Sequence, residues 1–401
     1  MERVEVPYKT LKDVDLQGKL VFIRVDFNVP TDDNGNITDD IRIRAALPTL
    51  SYALDQGARL VVASHRGRPK GRWIPELSMS LVKKRVERLL QREISFVDAC
   101  VGEKVEEAKA NLKEGEVLLL ENLRFYKEET ENDPEFSAEL AKGIEVYVND
   151  AFGTAHRRHA STYGIARHLK VRVMGLLMEK EIAYFRKALV NPSRPLAILL
   201  GGIKVSTKLG LIENLLKKAD KVLIGGAMAF TFLRAMGYPT GGSIVEDEML
   251  ETAKDILEEA KKRRVAFYLP VDFVCTEEID FAAPARVVPY QEVPEGWKGV
   301  DIGPATIRLY EESLTNARTI VWNGPMGIFE MNRFKKGTVA MAKCLANSSA
   351  LTIAGGGDTD VAIHKAGFTE NFSYISTGGG AFLELMEKNT LPCLEVLERK
   401  E

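Results

Sequence analysis

Arginines stand where the apolar runs of the first half of the chain end. Arg24-Val25-Asp26-Phe27-Asn28 closes the first run, Ser64-His65-Arg66-Gly67-Arg68-Pro69 the second, and Glu121-Asn122-Leu123-Arg124 the third. A further run is followed by Asn149-Asp150-Ala151-Phe152-Gly153-Thr154-Ala155-His156-Arg157-Arg158-His159. A planar guanidinium pairs with two oxygens of a phosphate or carboxylate at once, so several on one edge suit a small, multiply charged anion. Any one of them alone reads better as a surface arginine. A group of them at successive run ends does not.

In the second half glycines take that place. Gly201-Gly202-Ile203-Lys204-Val205-Ser206-Thr207-Lys208, Gly225-Gly226-Ala227 and Gly355-Gly356-Gly357-Asp358-Thr359 each follow an apolar run. Such turns expose consecutive backbone N–H groups, and one that opens a helix adds the positive end of the helix dipole, which favours phosphate. Asp358 and Thr359 fit the start of a helix through Val361-Ala362-Ile363-His364. Asp358 is then either an N-cap or a ligand to Mg²⁺, which takes one or two carboxylates together with phosphate oxygens. Lys204 and Lys208 are one helical turn apart, so both are expected to face the same anion. The only Gly-Lys pair, Gly18-Lys19, is followed by Leu20 rather than Ser or Thr, and there is no GxGxxG, HRD or DFG signature. The commoner nucleotide-binding motifs are therefore excluded.

The elements that must hold these residues are short runs of Val, Ile and Leu separated by charged stretches of helical period, the pattern of βα units around buried parallel sheets. One set covers residues 20–26, 59–65, 117–121 and 146–150; another covers 196–201, 221–225, 265–269, 319–322 and 351–354. The expected fold class is α/β, two Rossmann-like domains, each a parallel sheet flanked by helices, joined by a hinge helix. The expected bounds are 1–172 for the first domain, 173–195 for the helix and hinge, 196–385 for the second domain, and 386–401 for a tail returning to the first. The hinge rests on an amphipathic helix over 179–190 that runs into Asn191-Pro192-Ser193-Arg194-Pro195.

With 45% hydrophobic and 28% charged residues in 401, the chain has ordinary globular usage, and a net charge of −2 attracts neither nucleic acid nor anionic membrane. Cys100, Cys275, Cys344 and Cys393 form no CxxC pair and read as free thiols of a reducing compartment. The start MERVEVPYKTLKD has no apolar h-region, and no stretch approaches the roughly 18 apolar residues of a membrane span. A cytoplasmic protein is expected.

The segments RVDFNVP (24–30), SHRGRP (64–69), ENLRF (121–125), NDAFGTAHR (149–157), GGIKVSTK (201–208), WNGPMGIFE (322–330), GGGDT (355–359) and STGGGA (376–381) together resemble the phosphoglycerate kinase family in order and spacing. The resemblance implies reversible phosphoryl transfer between ATP and the carboxylate of 3-phosphoglycerate, with Mg²⁺, in a monomer that closes about its hinge. It implies that 3-phosphoglycerate is held by Asp26, Asn28, Arg42, His65, Arg68, Arg124 and Arg157. On the nucleotide side it implies Gly201, Lys208, Gly225, Gly226, Pro325, Gly356, Gly357, Asp358 and Thr359, with Asp358 at the metal. Gly299 and Glu330 would lie near the nucleoside and Asn323 near the transferring phosphoryl. Arg42, Lys204 and Lys208 would be the catalytic set, with Lys204 and Arg42 stabilising the transition state. His65 is expected to be a hydrogen-bond donor to substrate rather than a base, and His156 and His159 structural. Ile203, Thr207, Arg158, Asp360 and Cys393 depart from the family's usual residues, and none of these changes removes a charge the chemistry needs. Two rivals are an oxidoreductase on the same kind of sheet, which the missing GxGxxG opposes, and a non-catalytic nucleotide-sensing relative, which would have lost Lys204, Arg42 or Asp358.

Overall fold

The computed structural model describes residues 5–400, which fall into two compact units. The first runs to Ala183 and takes in the chain from Thr390 onward; the second is Tyr184–Asn389.

In the first unit the strands are β1 (Leu20–Arg24), β2 (Arg59–Ala63), β3 (Ser95–Val97), β4 (Val117–Leu120), β5 (Val146–Asn149) and β6 (Val171–Met174). They pair in the order β3-β4-β2-β1-β5-β6, every pair parallel. Every residue of β1, β4 and β5 is buried. This is why they read as unbroken apolar runs: helices cover both faces, so no side is left to alternate toward water. Val21, Ile23, Leu60, Val62, Leu119 and Val148 meet Ile43, Ala46 and Leu50 of the helix Ile41–Asp55 in one continuous core. That packing holds the helix, and Arg42 on its first turn, at the sheet.

The second unit has β7 (Leu196–Leu200), β8 (Lys221–Ile224), β9 (Ala266–Tyr268), β13 (Thr319–Asn323), β14 (Leu351–Ala354) and β15 (Tyr374–Ile375) in the order β15-β14-β13-β7-β8-β9, again all parallel. A separate antiparallel sheet of β10 (Asp272–Thr276), β11 (Ala285–Pro289) and β12 (Lys298–Ile302) joins them. It was not expected. Four of five residues of β11 are exposed, so it has no apolar run to announce it. Trp322, Leu199, Leu223, Met341 and Ile363 form the core under the parallel sheet.

The connector differs in detail from expectation. The α-helix is Leu176–Phe185, and Arg186–Val190 continues it as a wider π-type turn rather than a regular α-helix. Its N-terminus is held by Asp150, whose Oδ1 accepts from the N–H groups of Leu177 (2.9 Å) and Met178 (3.1 Å).

Candidate active site

The arginine edge of the first unit is built at the C-terminal ends of β1, β2, β4 and β5, where parallel sheets present their ligand-binding loops. Asp26 accepts from Arg42 Nη1 at 3.2 Å and from Asn28 N–H at 3.0 Å, and Arg42 also reaches the Asn28 carbonyl at 3.2 Å. Asn28 Oδ1 accepts from Gly67 N–H at 2.8 Å, which ties the β1 loop to the β2 loop. Three of the expected ligands are thus joined directly. Arg68, one residue beyond Gly67, is exposed.

His65 is 3% exposed, and burial followed by the charges of Arg24, Arg124, Arg42 and Arg157 pushes its proton affinity well below the usual histidine value. It is therefore a neutral ring. Arg24 Nη2 stands 3.2 Å from its Nδ1, and a guanidinium has no acceptor, so Nδ1 accepts and the ring proton lies on Nε2. In that tautomer the ring can donate only from Nε2. Arg124 spends only Nη1, on the Gly67 carbonyl at 2.8 Å, while its Nε and Nη2 are buried without a partner. Burial and the neighbouring Arg24 and Arg157 lower its pKa to about 10. Cations crowded this way with unspent donors fit a doubly charged anion, which would supply both the missing charge and the missing acceptors. Arg157 donates from Nε to His156 Nε2 at 3.1 Å. His159 is buried among the same arginines, and its pKa falls to about 3.

In the second unit Lys208 Nζ donates to the Gly201 carbonyl and to Asn323 Oδ1, each at 2.6 Å. Burial lowers its pKa to about 8, opposed by the charge of Asp358. Asn323 in turn donates to the Gly355 carbonyl at 2.6 Å, and Thr359 Oγ1 accepts from Gly324 N–H at 2.7 Å. The loops after β7, β13 and β14 are thereby one hydrogen-bonded group. The Pro325 carbonyl accepts from Gly202 N–H at 3.0 Å, and Gly226 N–H donates to the Met326 carbonyl at 3.0 Å. These approaches require glycine: a Cβ on Gly201 would lie 2.1 Å from the Pro325 carbonyl oxygen, and one on Gly225 2.4 Å from the Met326 sulfur. Gly299 sits on β12, and Glu330 is exposed in the turn after Phe329; among the described residues neither joins this hydrogen-bonded group.

Two local expectations are corrected. The N-cap of the helix Gly357–Lys365 is Gly356, at φ +106°, with no side-chain cap. Asp358 lies inside the first turn with its side chain exposed, and Thr359 turns away to Gly324. Nor do Lys204 and Lys208 share a helical face. The helical turn begins only at Ser206, so Lys204 sits exposed in irregular backbone while Lys208 folds inward. Pairing by a four-residue spacing holds only where both residues are helical.

The donor at Asp358 is a single exposed carboxylate beside a helix N-terminus, and among the described residues no three His, Cys, Asp or Glu side chains cluster as a metal cage. That set fits Mg²⁺, which shares its shell with phosphate oxygens and water. Among the described residues, no helix is long and apolar enough to cross a membrane. All four cysteines are free thiols.

An arginine-lined edge on one parallel sheet and a glycine- and lysine-lined edge on another give a two-unit α/β protein with the polar groups a phosphotransferase needs. A sequence model described as phosphoglycerate kinase matches residues 11–389. The chain is 57% identical to the phosphoglycerate kinase of Aquifex aeolicus, over 98% of its own length and 99% of that protein's, and 54% identical to that of Geobacter sp. strain M21, over 96% and 97%. Its fold matches the solved phosphoglycerate kinase structures from Coxiella burnetii, with a TM-score of 0.90, 40% identity and coverage of 97% and 98%, and from Pyrococcus horikoshii, with a TM-score of 0.82, 36% identity and the same coverage. The chain belongs to the phosphoglycerate kinase family. Its reaction is phosphoryl transfer between ATP and the carboxylate of 3-phosphoglycerate.

Proposed function

We propose that the two units divide this reaction, 3-phosphoglycerate going to the arginine edge of the first and MgATP to the glycine turns of the second. The observation that carries this reading is Arg124, a buried cation with two unspent donors beside a neutral His65. Asp26 and Asn28 orient Arg42, and Arg42, Arg68, Arg124, Arg157 and His65 take the substrate's phosphate and carboxylate oxygens. Gly201, Gly225, Gly226, Asn323, Pro325 and residues 356–359 take the nucleotide phosphates with Lys208, while Gly299 and Glu330 flank the nucleoside. Asp358 holds Mg²⁺, which when bound offsets charge on the phosphate oxygens.

A carboxylate acceptor, with a pKa of about 4, is already ionised at neutral pH, so no general base is needed. What remains is alignment and positive charge on the equatorial oxygens of the transferring group, supplied by Lys204 and Arg42. The reacting atoms must approach to about 3 Å, and we assign that approach to a closing movement about residues 180–195, which also excludes water. We take the working form to be a monomer, as the family resemblance implies, and cytoplasmic, in keeping with its free thiols.

The test is formation of 1,3-bisphosphoglycerate from 3-phosphoglycerate and MgATP by the parent, Lys204→Ala and Arg42→Ala. Both variants should lose about a hundredfold or more in kcat while still binding nucleotide. Unchanged turnover in either one removes it from the catalytic set. An inert parent that binds nucleotide would make the chain a non-catalytic relative.

A further inference from the structure

Asn122 has no solvent exposure, and its side chain has no hydrogen-bonding capacity left to spend. Oδ1 accepts from Arg66 N–H at 3.1 Å and from Arg124 N–H at 3.0 Å. Nδ2 donates to the Arg66 carbonyl at 2.7 Å and to the Leu77 carbonyl at 2.9 Å. An amide side chain has two donors and two acceptor lone pairs, so all four are used. No valence remains for a ligand, and anything Asn122 does for the reaction it does through other residues.

We propose that Asn122 is the positioning residue of the anion edge, a clasp that sets the His65 loop and the Arg124 turn at the distance at which both meet one substrate. Holding both the N–H and the C=O of Arg66 fixes the peptide planes on either side of it, and therefore the directions in which His65 and Gly67 leave. Holding Arg124 N–H fixes the turn Leu123–Phe125. From that turn the Arg124 side chain reaches back to the Gly67 carbonyl, and Gly67 N–H is the donor latched by Asn28. Asn28, Gly67, Arg124 and His65 thus share one fixed point. Arg66 belongs to the same clasp: it is 2% exposed and ties the loop outward to the Glu76 carbonyl at 2.7 Å and to Thr31 Oγ1 at 3.1 Å.

The inference rests on His65 and Arg124 binding 3-phosphoglycerate, and the experiment separates the two claims. Steady-state constants for both substrates are measured on the parent, Asn122→Ala, Asn122→Asp, Arg124→Ala, the double variant Asn122→Ala with Arg124→Ala, and a core-cavity control, Val82→Ala, at a temperature where circular dichroism shows each fully folded. Asn122→Ala should raise KM for 3-phosphoglycerate by about tenfold or more and leave KM for MgATP within about twofold, since a misplacement of about 1 Å costs on that scale. Asn122→Asp keeps the acceptor for both N–H groups but sets its other oxygen against the Arg66 and Leu77 carbonyls, so it too should raise KM for 3-phosphoglycerate. In the Arg124→Ala background Asn122→Ala should add little, because residues acting through one group are not additive. Val82→Ala should lower thermal stability with both KM values unchanged. If Asn122→Ala lowers stability alone, as the control does, its role is structural and the proposal is overturned. If Arg124→Ala itself leaves KM for 3-phosphoglycerate unchanged, the substrate assignment fails instead. Should Asn122→Ala not fold, the comparison of KM values in Asn122→Asp decides, an unchanged value for 3-phosphoglycerate overturning the clasp.

Discussion

Lys208 should make nucleotide use fall as pH rises through a window in which neither substrate titrates. Its ammonium is drawn out of water to lie against the Gly201 carbonyl and Asn323 Oδ1, both neutral, and burial brings its pKa to about 8. In the free enzyme it is then about nine-tenths protonated at pH 7 and about one-tenth at pH 9. If only the ammonium engages the nucleotide phosphates, kcat/KM for MgATP falls about tenfold across that span, since at saturating 3-phosphoglycerate this parameter reports ionisations of the enzyme before nucleotide binds. The second phosphate ionisation, at about 6, is already about nine-tenths complete at pH 7, so it changes by only about a tenth over the range and in the direction opposite to a tenfold fall. A bound phosphate stabilises the charged lysine, so the inflection in kcat should lie at higher pH than that in kcat/KM. The assay is direct quantitation of ADP at saturating 3-phosphoglycerate in half-unit steps. Lys208→Arg, charged throughout, should flatten the profile with activity retained in part; Lys208→Met should flatten it at a low level. A parent profile level between pH 7 and 9, or a Lys208→Met profile that keeps the parental fall, refutes the reasoning.

Asp150 is fully buried, and burial raises its pKa from 3.8 to about 7 against the hydrogen bonds it accepts. Because the folded pKa exceeds the unfolded one, the folded state binds the extra proton between them, and stability falls as pH rises through that window. The shift of about three pH units corresponds to about 4 kcal/mol at most. In denaturant titrations from pH 5 to 8, Asp150→Asn should gain on the parent as pH rises; a difference constant with pH would show that Asp150 does not titrate there. Gly299→Ala would put a Cβ 2.0 Å from the ring of Phe230, which packs on Phe273 at 4.3 Å. Overpacking of this kind costs about 1–3 kcal/mol. KM for MgATP should rise while KM for 3-phosphoglycerate stays level, and equal effects on both would remove Gly299 from the nucleoside side.

The chemistry of this protein was legible from residue types at run ends, because a parallel sheet gathers its strand ends on one edge whatever the order of the strands. The same runs show strongly in β1, β4, β5, β7, β13 and β14, whose residues are buried almost throughout. Local pattern could not give the order β3-β4-β2-β1-β5-β6, nor the short β3 and β15 at the edges, nor the exposed β11. Strand order is decided by which faces pack across long chain separations, and β3 and β15, of three and two residues, are too short to stand out, whereas the equally short β9 lies within the apolar run 265–269.

The finer design belongs to the tertiary structure for the same reason. Nothing in the run ENLRF distinguishes Asn122 from a turn asparagine; its role appears only when Arg66, 56 residues earlier, is brought against it. Lys204 and Lys208 are the converse case, a spacing that implied a shared face and a backbone that bends between them. Residue type determined which groups could hold an anion. Burial and long-range hydrogen bonding decided which of them are neutral, which are saturated, and which, like Arg124, keep donors in reserve.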